Sequence, residues 1–280
     1  MAGRSRVGES VAAGEGIPPP VPYLPMPLRT VAPDQPALQP SEISMNIVEP
    51  NVTILAHTVI TGTDPDNWDG DALARIGEMD FQPGATDAET LMEFAGRQCY
   101  KSFHRPNPET ATTQSYLERT LFDQGHWSIA EHASVTLHIT GVSRAFLTEL
   151  TRHRHLSFSV QSQRFVDESD CNVVMPPAIR DSDEVTRMAW EVETASAVDG
   201  YRDIAAQFDY LPRKQAREAA RSVLPNAVET RMVVTGNIRA WYNVIALRTA
   251  PGVDAEMVEV MTLVRDQLAT IAPTIFKEQA

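Results

Sequence analysis

Three stretches of this chain are rich in β-branched and apolar residues, and they lie far apart: NVTILAHTVITG (51–62), ASVTLHITGV (133–142) and ETRMVVTGNI (229–238). Such residues suit strands, and the second stretch also alternates apolar with polar positions, as a half-buried strand does. What separates them is uneven. A polar, Gly/Asp-rich connection (62–87) precedes two helical patterns, DAETLMEFAGRQCYKS (87–102) and TQSYLERTLFDQGH, the second stopped by Gly125. SRAFLTELTRHR (143–154) follows the second strand, with Ser143 as its N-cap. A long amphipathic stretch, DEVTRMAWEVETASAVDGYRDIAAQFDYL, and PRKQAREAARSVLP (212–225) precede the third strand. RAWYNVIALRTA and a closing helix, DAEMVEVMTLVRDQLATIAPTIF, come after it. No regular strand–helix–strand rhythm runs through this order, so it fits an α+β fold better than a doubly wound one.

The foldable part begins near residue 46. Residues 1–45 differ from the rest: GIPPPVPYLPMPLRTVAPDQPALQPSE alone carries nine of the twenty prolines, and proline lacks the donor that helices and sheet interiors use. They read either as an extended tail or as sequence ahead of a start at Met45, leaving 46–280 as one domain. No apolar run is long enough to cross a bilayer. Two cysteines, Cys99 and Cys171, are too few for a disulfide framework and fit a reducing, cytoplasmic setting. A net charge of −13 argues against nucleic acid as a partner.

Against that acidity, positive charge gathers in three places. TRHRHLSFSVQSQRF (151–165) holds three arginines and two histidines; Arg213, Arg217 and Arg221 recur every four residues on one helix face; Arg239 and Arg248 share a short helix opened by Gly236-Asn237. Each stripe alone is what a solvated helix face carries. Three together in an acidic chain look like one pocket for a phosphorylated ligand, or for two, because arginine's planar fork binds phosphate bidentately and helix starts favour anions. No G-x-G-x-x-G opens a helix and no G-x-x-x-x-G-K-[ST] occurs, so any nucleotide is held by side chains and helix ends. Ser162 reads as a hydrogen-bond donor to a ligand rather than a nucleophile, since a nucleophilic serine needs a base within reach. The spacings of His153 and His155, and of His126 and His132, match no common zinc pattern, and no metal is expected.

The string RHRHLSFSVQSQR, with Arg152-His153-Arg154 followed by Ser162, resembles the signature of the flavin-dependent thymidylate synthases, the ThyX family. LMEFAGRQCYKS, QGHWSIAEHASVTLHITGVSR, RKQAREAARSVLPNAVETRMVVTGNIRAW and IALR resemble further family blocks in the same order, so the similarity runs from about Asn51 to near the C-terminus. The resemblance implies a mostly antiparallel central sheet with flanking helices, and a homotetramer whose active sites lie where subunits meet. It implies bound FAD, with NADPH and methylenetetrahydrofolate as co-substrates and dUMP as the nucleotide that becomes dTMP. By position, Ser128, Arg152, His153, Arg154, Val160, Asn237, Ile238, Arg239 and Asn243 match flavin contacts. Glu149, Leu150, Thr151 and Arg152, then Val160, Gln161, Ser162, Gln163 and Arg164, with Arg221 and Arg248, match the dUMP site. Arg248, His126 and Ser162 fall at positions with a part in turnover, Arg248 by helping ionise N3 of the uracil. The absence of a convincing nucleophilic cysteine agrees, since this family needs none.

Two positions depart from the pattern. Val160 stands where the family commonly has glutamate or glutamine, and Phe165 where it commonly has tyrosine. Valine cannot hydrogen-bond, so a glutamine at 160 is expected to tighten dUMP or FAD. A changed product, such as a hydroxymethylated pyrimidine nucleotide, stays open, as does a weakly active nucleotide- or RNA-binding relative.

Overall fold

A computed structural model describes residues 45–60, 85–103 and 112–277, all within the unit Leu38–Ala280. Residues 1–44 of the proline-rich tail and 62–84 of the polar connection lie outside the described residues. Four strands form the sheet: β1 (Asn51–His57), β2 (Ser134–Ser143), β3 (Ser157–Val160) and β4 (Glu229–Asn237). Their order is β1-β2-β4-β3, with every neighbouring pair antiparallel. Three strands sit within the stretches rich in β-branched and apolar residues. The fourth, β3, is four residues long, lies inside the arginine-rich motif, and pairs Ser157 with Thr235 and Val160 with Met232.

Around the sheet run α1 (Asp87–Tyr100), α2 (Thr113–Leu117), α3 (Arg144–Leu150), α4 (Pro177–Arg180), α5 (Glu184–Gln207), α6 (Arg213–Ala220), α7 (Ile238–Arg248), α8 (Ala255–Leu268) and α9 (Pro273–Phe276). No described helix is long and apolar enough to cross a membrane. The helix expected from 113 passes at Glu118–Asp123 into a π turn, and a 3₁₀ turn follows at Trp127–Glu131. The closing helix divides after Leu268, because Pro273 cannot continue it and instead opens α9.

One core gathers the inward faces. Leu137 and Ile139 of β2, Val234 of β4, Trp241 of α7 and Val260 and Val264 of α8 are fully buried. Each such side chain contributes about 1.5–3 kcal/mol by leaving water. Trp241 places its indole N–H on the Val135 carbonyl at 3.3 Å, so the helix is held to the sheet by more than packing. Gly236 is what lets it approach: a Cβ there would meet Leu156 at 2.5 Å and Trp241 at 3.1 Å. The close approach at this glycine is thus made by the protein's own core.

The β2–α3 junction is fixed from three sides. Ser143 Oγ accepts the Phe146 amide at 3.0 Å as the helix cap and donates to Glu256 Oε2 at 2.6 Å, while the Ser143 amide donates to Glu256 Oε1 at 2.7 Å. Burial raises the Glu256 pKa above the ordinary carboxylate value, and its hydrogen bonds to Ser143 oppose that rise. Just before the junction Gly141 has φ +67°, and a Cβ would lie 1.9 Å from the Glu49 carbonyl oxygen. No L-residue with a side chain fits there without moving the backbone.

Candidate active site

The expected helix 143–154 stops at Leu150, and the motif arginines lie on the bend that follows. The His153 amide donates to the Leu150 carbonyl at 3.1 Å and the Leu156 amide to the His153 carbonyl at 3.2 Å, which turns the chain back into β3. Onto this bend comes the last residue of α7. Arg248 Nε donates to His153 Nε2, Nη1 to Glu149 Oε2, and Nη2 to the Glu149 carbonyl, each at 2.8 Å. Arginine has five N–H groups, so one remains unspent on each of Nη1 and Nη2. His153 accepts through Nε2 and is therefore neutral, with its proton on Nδ1. Burial, then Arg248 and Arg152, hold its pKa below the usual imidazole value, against an upward pull from Glu149. Arg152 itself is exposed and 3.8 Å from Glu149, a weak pair.

A second group forms at the far end of β3. Val160 packs with Phe158 against the core, so position 160 faces inward and a polar side chain there would point toward apolar neighbours. The Gln161 amide donates to the Arg231 carbonyl at 2.9 Å, its carbonyl accepts from Arg144 Nη2 at 3.3 Å, and its side chain lies beside Glu168. A tight turn follows. Ser162 Oγ accepts the Arg164 amide at 3.4 Å, and the Ser162 carbonyl accepts the amides of Phe165 and Val166 at 3.1 and 3.0 Å. Gln163 and Arg164 are half-buried on it. Arg217 of α6 donates through Nη1 to the Phe165 carbonyl at 2.6 Å and through Nη2 to Asp167 Oδ2 at 2.9 Å. The stripe expected to act as one face is therefore divided in use: Arg213 is exposed, Arg217 clamps the turn, and Arg221 opens a 3₁₀ turn close enough to Arg144 to repel it.

The third group lies along the outer face of α7. Asn237 caps the helix, its Oδ1 accepting the Ala240 amide at 2.8 Å. Arg239 donates to Glu131 at 2.5 Å, and Asn243 is exposed one turn on. Trp127 stacks on Tyr242 with ring centroids 4.2 Å apart, and Phe122 meets Trp127 edge-on at 5.2 Å. His126 and Ser128, both exposed, flank that tryptophan. Two positions matched to ligands are occupied otherwise: Ile238 and Leu150 are completely buried in the core, and the Ile238 amide donates to the Ala133 carbonyl. Thr151 Oγ1 bonds the Leu147 carbonyl at 2.9 Å. Arg154 is exposed beside the bend. The described Ser162 hydroxyl has no histidine in bonding contact, which leaves it without the base a nucleophile needs. Arg144 and Glu168, absent from the sequence reading, both adjoin Gln161, Arg144 through a hydrogen bond to its carbonyl.

The three groups do not face one way. Arg239 and Arg248 are nine residues apart on α7, which at 100° per residue sets them about 180° apart around its axis. Arg248 continues the line of Trp241 and Ile245, where the core ends; Arg239 and Asn243 look outward.

Known proteins resemble this chain in sequence and in fold. Residues 84–274 match the family described as thymidylate synthase complementing protein. A flavin-dependent thymidylate synthase from Mycobacteroides abscessus is 48% identical over 207 residues, covering 71% of this chain and 82% of that one. One from Mycobacterium tuberculosis is 46% identical over 208 residues, covering 70% and 82%. Among solved structures, ThyX from Helicobacter pylori with FAD and dUMP superposes with a TM-score of 0.59 at 18% identity, over 82% of this chain and 98% of that one. A UMP/dUMP methylase, PolB, from Streptomyces cacaoi gives 0.60 at 17% identity, over 84% and 96%. At those identities the structures speak for the fold, while the sequence matches speak for descent, and on that ground the chain belongs to the flavin-dependent thymidylate synthase family.

Proposed function

We propose that this protein converts dUMP to dTMP by reductive methylation, with methylenetetrahydrofolate as carbon donor and FAD, reduced by NADPH, as the source of hydride. The observation that carries the reading is the Arg248 group. A guanidinium locked by three hydrogen bonds, with two N–H groups left over at an edge of the core, is an oriented charge that costs no reorganisation when used. Directed at the uracil ring, it stabilises the N3 anion and so enriches C5 for attack on a one-carbon electrophile. Neutral His153 takes up one N–H without competing for that role. The Ser162–Arg164 turn, with Arg164 and Arg221, supplies donors and positive charge for the phosphate.

The donor set also fits a dinucleotide flavin. Arg152, Arg154 and Arg239 are exposed cations suited to a pyrophosphate, Ser128 and Asn243 are exposed hydrogen-bonding groups, and Asn237 fixes the start of α7. Bound there, the flavin supplies the two-electron reduction that completes the methyl group. The chain's own work is to bind, orient and exclude water. Because Arg239 and Arg248 lie on opposite sides of one helix, we infer that the site is completed by a second copy of the chain, as a homotetramer provides. His126 lies next to the exposed aromatic stack, where a folate and a flavin can meet.

The test is incubation with FAD, NADPH, methylenetetrahydrofolate and dUMP, with the product identified by mass. Appearance of dTMP dependent on all four supports the proposal. NADPH oxidation without dTMP, or a nucleotide of hydroxymethyl mass, overturns it.

A further inference from the structure

Among the described residues, two buried side-chain polar atoms lack a protein partner: Arg144 Nε and Glu168 Oε1. That they belong to these two residues is informative. They carry opposite charges, act on each other electrostatically, and make no direct ion pair. Both adjoin the same residue. Arg144 Nη2 bonds the Gln161 carbonyl, while Glu168, only 2% exposed, lies beside the Gln161 side chain, which draws its pKa down against the rise from burial. Arg144 Nη1 reaches Thr230 Oγ1 at 3.3 Å on the neighbouring strand, and the Glu168 amide donates to the Tyr201 hydroxyl at 3.4 Å on α5. Each residue is thus anchored to a separate element of the scaffold, with Gln161 beside both.

Buried charges kept apart are expensive, and apolar residues of the same volume often serve stability as well or better. Gln161 immediately precedes the Ser162–Arg164 turn, so its position sets where the turn's donors point. Arg221 and Arg144 repel each other until an anion arrives between or beside them.

We infer that Arg144 and Glu168 are positioning residues for the phosphate-binding turn, acting through Gln161 on the affinity for the nucleotide monophosphate. This rests on the dUMP reading above. It assigns a task to two residues outside the positions matched to dUMP.

The experiment compares the wild-type protein, Arg144→Met, and the double variant Arg144→Met/Glu168→Leu. Readouts are dUMP affinity by calorimetry, flavin retention, thermal midpoint and steady-state kinetics. Loss of a charge-assisted bond corresponds to a tenfold or greater weakening of dUMP binding, seen in KM more than in kcat, with flavin affinity unchanged. Removing both charges relieves the stranded carboxylate, so the double variant regains thermal stability yet keeps the weakened dUMP binding. If it regains both, the pair is structural only and the inference fails. If Arg144→Met binds dUMP as the wild type does, the inference also fails while the substrate reading stands. A wild-type protein that binds no dUMP overturns both.

Discussion

Glu149→Gln tests the Arg248 group with two independent readouts. The substitution keeps the shape and the main-chain carbonyl, so the bonds from Arg248 Nη2 and Nε survive and only the Nη1 bond to a carboxylate at 2.8 Å becomes neutral. A desolvated charge-assisted bond is worth about 1.5–3 kcal/mol, whereas an exposed pair is worth about 0.2–1 kcal/mol. With Glu149's side chain 41% exposed and Arg248's 16%, the loss belongs near the lower range, about 1 kcal/mol. That corresponds to a fall of about fivefold in kcat/KM for dUMP, far from the collapse expected on removing Arg248. The second readout is His153, followed by NMR of its Cε1 carbon. Its pKa lies below the ordinary 6.5 in the folded protein, so the stability tied to its neutral form is complete above 6.5 and is lost as pH falls through the folded value. Glu149 pulls that pKa upward, so removing the carboxylate carries the His153 midpoint, and the acid limb of activity with it, to lower pH. A midpoint that stays or rises would falsify the assignment of these three residues to one unit.

Other outcomes follow from geometry already described. Gly141→Ala forces a Cβ against the Glu49 carbonyl oxygen at positive φ, and a cost of about 3 kcal/mol or more lowers the thermal midpoint by about 6–12 °C; an unchanged midpoint counts against the backbone described there. Burial, with Glu168 nearby, pushes the Cys171 thiol up to about 11, so at pH 8 a disulfide reagent titrates the exposed Cys99 in the native protein and reaches Cys171 only after denaturation. Arg239→Ala breaks a pair whose partners are 44% and 48% exposed, so stability shifts by less than about 0.5 kcal/mol. Flavin retained through gel filtration nevertheless falls; full retention at low flavin concentration removes Arg239 from the cofactor site.

The sequence was most legible where a local pattern and the final environment agree. Burial alternates along most of β2 and β4, and each ends in a cap, Ser143 and Asn237, whose residue type announces the helix that follows. Strand β3 was not legible, because Ser157–Val160 has too few residues for alternation to stand out and sits among arginines that invite a chemical reading. The length of α3 was overestimated because periodicity continues through Thr151 and Arg152, while the turn after Leu150 is fixed by contact with Arg248, far along the chain. Arg217 illustrates the same limit: i, i+4 spacing places it with Arg213 and Arg221, but its partner Phe165 is 52 residues away. Glu168 carried no signal at all, since an acid in DESD looks like surface until burial is known.

Helix α7 has a genetic consequence. If its outer face serves one site and its last residue serves another, a chain lacking Arg239 and a chain lacking Arg248 are defective in different sites. Co-assembled, they build about one whole site in four, so two alleles that each abolish growth on their own restore it together. Each is also dominant over the wild type in part, because every defective copy spoils a site formed with a sound neighbour. A helix used from both sides makes the subunit an incomplete unit of inheritance as well as of catalysis.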